Sequence, residues 1–198
     1  MDTLAEKTFW VMRHGRPDLP SNPFFMDRDS FNRFLASYDL AAISDVETAR
    51  LARLYQRFPV PDLVVCSDLP RAHATAKLFG RTAPITVDPI FREIPIRLPD
   101  EPTLFLRSLW PAEVWWSYLR VNWFRNQGPE GKILSSRRGD EAIRHLRQYQ
   151  QDYSRIALVS HAGFITLLVT MMHREHQIQG PLLPSIRFGR PTLYRWLK

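Results

Sequence analysis

The sequence predicts a three-layer α/β/α sandwich, with helices on both faces of a mostly parallel central sheet and an aromatic-rich helical insertion. Three observations carry this. Short apolar runs at residues 8–12, 62–66, 85–87 and 156–160 have the length and composition of buried strands. Helix-period segments at residues 45–58, 68–79, 140–149 and 164–172 alternate with them, the order that produces crossover connections and parallel pairing. Each apolar run feeds into a segment bearing polar, chemically capable side chains.

Taken in order, the first strand (8–12) runs into Arg13-His14-Gly15-Arg16-Pro17. A Pro/Asn/Asp-rich connection reaches residue 23, and a helical piece follows at 30–38. Ser44 and Glu47 have the capping-box spacing ahead of Val46, Ala49, Leu51, Leu54, Tyr55 and Phe58, so an amphipathic helix is expected to end before Pro59. After the strand at 62–66, a helix over 68–79 has Pro70 in its first turn and Gly80 as its stop signal. The strand at 85–87 leads to Phe91-Arg92-Glu93, and a last strand falls at 193–197.

Residues 97–138 break this rhythm and form the insertion within a single domain spanning residues 1–198. They hold Trp110, Trp115, Trp116 and Trp123. From Pro111 onward Glu113, Ser117 and Arg120 follow helical spacing, while Val114, Trp115, Trp116, Tyr118, Leu119, Trp123 and Phe124 cover most of the remaining surface. An apolar arc that wide serves as core packing, as a cap walling the site, or as a peripheral membrane contact aided by Arg107, Arg120 and Arg125.

Composition narrows the function classes. A chain of 198 residues with 44% hydrophobic and 24% charged residues is ordinary globular protein. The net charge is +7, and 23 of the 27 cationic residues are arginine, the planar fork suited to phosphate and carboxylate. No nucleic-acid recognition motif accompanies that charge, and Arg137-Arg138 is the longest basic run noted, so no nucleic-acid partner is expected. Cys66 is the single cysteine, which excludes an internal disulfide framework and a multi-thiolate zinc site. Residues 156–173 carry no Asp, Glu, Lys or Arg between Arg155 and Arg174, yet Ser160, His161 and Gly163 mark a buried strand, a turn and a core helix rather than a transmembrane span. With no leader pattern ahead of residue 8, a cytoplasmic location is the expectation.

Ligands of open α/β sheets bind beyond the carboxyl ends of strands. Arg13 and His14 follow the first strand, Arg71 opens the helix after the second, Glu93 follows the third, and His161 follows the strand at 156–160. Two arginines, two histidines and a carboxylate describe an anion site with a nucleophile or base and an acid. Arg71 in a helix first turn opposes the helix dipole, a repulsion that a bound anion offsets. His173 and His176 have a spacing usable by a metal but read better as a helix end, His73 as a surface neighbour of the site, His145 as solvated, and Cys66 as packing. No metal and no cofactor are expected.

These segments resemble a known family. Val11-Met12-Arg13-His14-Gly15 is similar to the Arg-His-Gly signature of the histidine phosphatase superfamily, the phosphoglycerate-mutase-like branch 1. Cys66-Ser67-Asp68-Leu69-Pro70-Arg71-Ala72-His73-Ala74-Thr75-Ala76, Phe91-Arg92-Glu93 and Val159-Ser160-His161-Ala162-Gly163 resemble its later motifs, in family order, over residues 8–172. The resemblance implies a metal-independent phosphatase. His14 is then the nucleophile that forms a phosphohistidine, and Arg13, Arg71 and His161 hold the phosphoryl oxygens. Arg16 adds a further substrate-binding cation, and Glu93 is the acid that protonates the leaving oxygen. The alternatives are phosphoglycerate-mutase-type transfer and a non-catalytic phosphate-binding protein. The expected substrate is a small-molecule or protein phosphate ester, and the expected state a monomer or homodimer. Three positions depart from the family pattern: Arg16 stands where a glutamate, glutamine or similar residue is common after the glycine, Pro17 where many relatives have a small hydroxyl residue, and Asn22 is the nearest counterpart of a commonly found asparagine.

Overall fold

The computed structural model describes residues 7–19, 23–95, 97–98 and 108–197. Eight strands and six helices run in the order β1 (Thr8–Arg13), β2 (Phe25–Met26), α1 (Arg28–Leu40), α2 (Asp45–Tyr55), β3 (Leu63–Cys66), α3 (Pro70–Gly80) and β4 (Ile85–Val87). A 3-10 turn (Pro89–Phe91) follows, then β5 (Trp110–Pro111), α4 (Ala112–Phe124), α5 (Lys132–Asp152), β6 (Arg155–Ser160), α6 (Ala162–Arg174), β7 (Ile178–Gln179) and β8 (Thr192–Trp196). Six strands form one sheet in the order β4-β3-β6-β1-β8-β7. The pairs β4/β3, β3/β6 and β6/β1 are parallel, whereas β8 and β7 add antiparallel at one edge. The mixed α/β class with a mostly parallel sheet is as expected.

Side chains alternate across β1 and divide the core in two. Phe9 and Val11 join Leu63, Val65, Ile156 and Leu158 against α5 and α6, through Ala142, Leu146, Ile165, Leu168 and Val169. Trp10 and Met12 join Val64, Cys66, Ala157 and Val159 against α2 and α3, through Leu51, Tyr55, Ala72, Ala76 and Phe79. The strict period of two places an unbroken apolar strand between two helical layers. Because β1, β3, β4 and β6 are parallel, their carboxyl ends share one edge of the sheet.

Several local expectations need correction. Ser44 caps α2 through the Glu47 amide, but the Glu47 carboxylate turns away to the Arg16 amide and the Arg50 guanidinium instead of closing the reciprocal box. Val46 is 81% exposed and stands on the solvent side of that helix. Gly80 is the last helical residue of α3, and Arg81 at φ 53° takes the left-handed position beyond it. What Gly80 supplies is closeness, since a Cβ there would lie 3.0 Å from Val64 Cγ2. Helix α5 begins at Lys132, well before residue 140, because Gly139 is a crossing point rather than a start: a Cβ on it would meet Met171 Sδ of α6 at 2.7 Å. The ribbon β2/β5 and the edge strand β7 were not anticipated, each being two residues long.

The insertion helix α4 packs away from the sheet. Trp115, Leu119 and Leu98 join Met26 and Phe31 in a third cluster, with Phe34, Leu35, Trp110 and Trp116 against it. Glu113, Ser117 and Arg120 are exposed, as their spacing predicted. Trp115 is fully buried, stacks on Phe31 at 5.9 Å and donates its indole N–H to the Met26 carbonyl. Trp115→Ala is therefore expected to cost about 3–5 kcal/mol, read as a lowered denaturant midpoint. A midpoint unchanged from wild type contradicts this account of the cluster. Trp116 stays half-buried, edge-on to Phe31. Among the described residues no helix is long and apolar enough to cross a membrane. Asn22, Leu104, Phe105, Leu106 and Arg107 lie outside the described residues.

Candidate active site

The chain leaves β1 with Arg13 and turns at His14, whose amide donates to Ser160 O at the end of β6. Gly15 continues the turn, its amide bound to Thr75 Oγ1 of α3 at 2.8 Å, and Thr75 in turn donates to Arg71 O. A Cβ on Gly15 would stand 2.7 Å from Leu51 Cδ1, so the tight packing of α2 requires glycine here. These bonds tie the first motif to the second and to the fourth.

His14 is buried and brought into contact with Arg71 and His161. Its Nδ1–H donates to Gly15 O at 2.6 Å, which leaves Nε2 as the lone-pair nitrogen facing Arg71 Nε at 3.2 Å. The ring of His161 lies 4.9 Å from that of His14. His161 Nδ1 meets Arg71 Nη2 at 3.4 Å, and its Nε2 meets Ser67 Oγ at 3.0 Å. Burial pushes the pKa of His14 well below the ordinary imidazole range, with Arg71 and then Arg13 adding to the shift against the Gly15 carbonyl. Burial does the same to His161, assisted by His14 and the arginines. Both shifts favour the neutral rings.

Glu93 reaches the site from the segment after the 3-10 turn. Its Oε1 accepts from the amides of Ile94 and Phe164, each at 3.0 Å, and Oε2 from Gly163 at 3.2 Å. The carboxylate therefore sits on the N-terminus of α6, where unpaired amides favour an acid. Gly163 makes that approach possible, because a Cβ there would be 2.7 Å from Glu93 Oε1. Burial raises the pKa of Glu93, and the three amides and Arg13 oppose it without reversing it.

The cations are held by groups the sequence did not single out. Arg71 is fully buried, with Nη1 donating to Tyr38 O at 2.5 Å and Asp39 O at 3.2 Å, and Nη2 to Asp39 Oδ1 at 3.4 Å. Those carbonyls end α1, whose last turn carries no basic residue of its own, so the negative helix end receives the Arg71 charge. Tyr38 also lies 4.5 Å beneath the Arg71 guanidinium and accepts from Arg13 Nη2 at its hydroxyl. Arg13 Nη1 donates to Ile186 O at 3.2 Å. Arg16 is exposed, 5.6 Å from the Phe188 ring, and its structural anchor is its backbone amide on Glu47. Among the described residues, the aromatic side chains that contact His14, Tyr38 at 6.2 Å and Phe188 at 5.7 Å, belong to α1 and the loop before β8 and not to α4.

The side histidines and the cysteine resolve individually. His145 is not simply solvated, since its Nδ1 binds Asp88 Oδ2 at 2.9 Å. His173 Nε2 binds Pro181 O, and His176 lies past the end of α6 at φ 53°. Burial pushes the Cys66 thiol up to about 12, consistent with an inert packing role. Arg138 points inward, donating to Ile90 O, Arg92 O and Glu130 Oε1 and lying over Phe164, so it braces the segment that carries Glu93.

His14, Arg71 and His161 are thus in mutual contact, and Glu93, a carboxyl group of raised pKa, lies close enough for Arg13 and Arg71 to act on it electrostatically. The family model of the Histidine phosphatase superfamily (branch 1) matches residues 9–183, and the chain belongs to that superfamily. Among solved structures, the chain is similar to the alpha-ribazole phosphatase from Shigella flexneri, at TM-score 0.62 and 19% identity, with 96% of this chain and 94% of that chain covered. It is also similar to a mycobacterial glucosyl-3-phosphoglycerate phosphatase, at TM-score 0.55 and 19% identity, covering 85% and 80%. At such identities the likeness shows the fold alone. No match is found among curated proteins.

Proposed function

We propose that this protein is a metal-independent phosphatase that hydrolyses a phosphate monoester through a phosphohistidine on His14. The observation that carries the proposal is the tautomer of His14: its Nδ1–H is committed to Gly15 O, so Nε2 carries the lone pair, held toward the Arg71 Nε–H at 3.2 Å and available to a phosphorus atom that Arg71 draws in. In the first step Nε2 attacks phosphorus, the ester P–O bond breaks, and Glu93 gives its proton to the departing oxygen. Arg13 and Arg71 neutralise the phosphoryl oxygens, and the Nε2–H of His161, which rests on Ser67 Oγ, turns to them when the phosphoryl group binds. In the second step water attacks the phosphohistidine, Glu93 takes its proton, the P–N bond breaks and neutral His14 returns.

Single-domain organisation over residues 1–198, a cytoplasmic location, Arg16 as a further substrate contact and a state of monomer or homodimer belong to the same proposal. Net transfer of the mutase kind requires a phosphorylated product to leave and return. Hydrolysis requires only water, and no side chain among the described residues favours the former.

Brief exposure to a radiolabelled phosphate donor, followed by acid or base quench, tests the reading. Label that survives base and is lost in acid, and is absent from His14→Ala, is the expected result. Turnover in EDTA without any label on His14 contradicts it.

A further inference from the structure

The loop between β7 and β8 runs on past residue 183, where the family match ends, and this later part is tied into the catalytic turn. The Gly189 amide donates to both Arg13 O at 3.0 Å and His14 O at 3.1 Å. Tyr55 donates to Gly189 O, and Arg50 to Phe188 O. Gly189 itself sits at φ +66°, and a Cβ on it would meet Leu51 Cδ2 at 2.3 Å, so the loop has one conformation against α2. This anchoring places the half-buried ring of Phe188 in a defined spot. The Arg13 guanidinium carbon lies 3.7 Å from its centroid, and the His14 ring lies 5.7 Å away.

Arg13 has no carboxylate partner among the described residues, and its Nε is buried with no hydrogen bond. A carboxylate would orient the guanidinium equally well, but it would cancel the charge that an incoming phosphoryl group needs. An aromatic face orients the cation through its quadrupole and leaves the net charge intact. We propose that Phe188 is a positioning residue: its ring holds the Arg13 guanidinium in place without neutralising it, and so sets the affinity for the phosphoryl group. This rests on the phosphatase reading, in which Arg13 binds phosphate.

Phe188→Leu keeps an apolar side chain of similar bulk and removes the π face, whereas Phe188→Tyr keeps the face. Binding of inorganic phosphate to the purified protein is measured by calorimetry, alongside hydrolysis of a panel of phosphate monoesters in EDTA. The expected result is a Kd raised about twofold to thirtyfold in Phe188→Leu, with kcat/KM lowered in step. Phe188→Tyr is expected to restore both. A Phe188→Leu protein with wild-type Kd overturns the proposal, as does one whose binding stoichiometry falls while Kd stays fixed, the mark of a merely structural role. Wild-type protein that binds phosphate but turns over nothing overturns the phosphatase reading and leaves the Phe188 assignment standing on the binding series. Wild-type protein that binds no phosphate overturns both.

Discussion

Glu93→Gln is expected to lower kcat/KM, which reports the first phosphoryl transfer and not the later hydrolysis of the phosphohistidine, by about 10²- to 10⁴-fold on an alkyl phosphate, the usual weight of a general acid, while kcat/KM for a p-nitrophenyl ester falls far less. The contrast follows from the leaving group. An alkoxide needs a proton as the P–O bond breaks, whereas a nitrophenolate departs without one. The pH dependence carries the same logic with opposite signs for the two groups. His14 must be neutral to attack, and burial holds its pKa well below the ordinary imidazole range, so activity rises with pH across a window more acidic than a free histidine would give. Glu93 must be protonated to donate, and burial raises its pKa, so activity on alkyl esters falls as pH climbs through a value above the ordinary carboxylic range. Glutamine removes the falling limb and leaves the rising one. It also sets an amide nitrogen against the Gly163 N–H, which accepts no such partner, so a thermal melt accompanies the rates. Equal losses on both ester types, or a falling limb that persists in the glutamine variant, exclude Glu93 as the acid.

The part of this site legible in the sequence is the part built by parallel strands. Arg13, His14, Glu93 and His161 follow strand ends, and a parallel sheet delivers such ends to one edge whatever the lengths of the connections. Arg71 was legible for a related reason, as an arginine placed unfavourably at a helix start. Tyr38 and Phe188 were not legible. They arrive from the end of an irregularly connected helix and from a loop before an antiparallel strand, and neither type of connection fixes where a side chain lands. Arg138 was hidden differently: paired with Arg137 in a charged helix it looks solvated, and only the closure of α5 over the 3-10 turn turns it inward. The α4 aromatics were read as apolar surface in search of a partner, which was sound. Their partner is α1, and two amphipathic helices of unrelated position in the chain carry no mark of that pairing.

Arg71 joins the catalytic turn to the end of α1, and, after loss of the nucleophile His14, its removal is expected to be the most damaging change to the rate. The guanidinium touches His14, His161 and the carbonyl end of α1 with donors in three directions. Burial pulls its pKa below the ordinary guanidinium value, yet arginine remains charged at any working pH. Arg71→Ala is expected to reduce kcat by about 10³- to 10⁵-fold, the scale on which an arginine stabilises a phosphoryl transition state. The same change leaves Tyr38 O and Asp39 O without their donor, at a cost of about 1–3 kcal/mol, so the protein stays folded but melts earlier. Arg71→Lys separates the two effects. A lysine ammonium in that space supplies charge to the α1 carbonyls and recovers much of the stability. It cannot span His14, His161 and α1 at once, because its donors radiate from a single nitrogen on a flexible stem. The lysine variant is therefore expected to regain stability while its rate stays far below wild type. Steady-state kinetics and denaturant melts on the three proteins check this. A lysine variant as fast as wild type removes the fork geometry from the mechanism, and an alanine variant within about tenfold of wild type, some 1.4 kcal/mol of barrier, removes Arg71 from the transition state altogether.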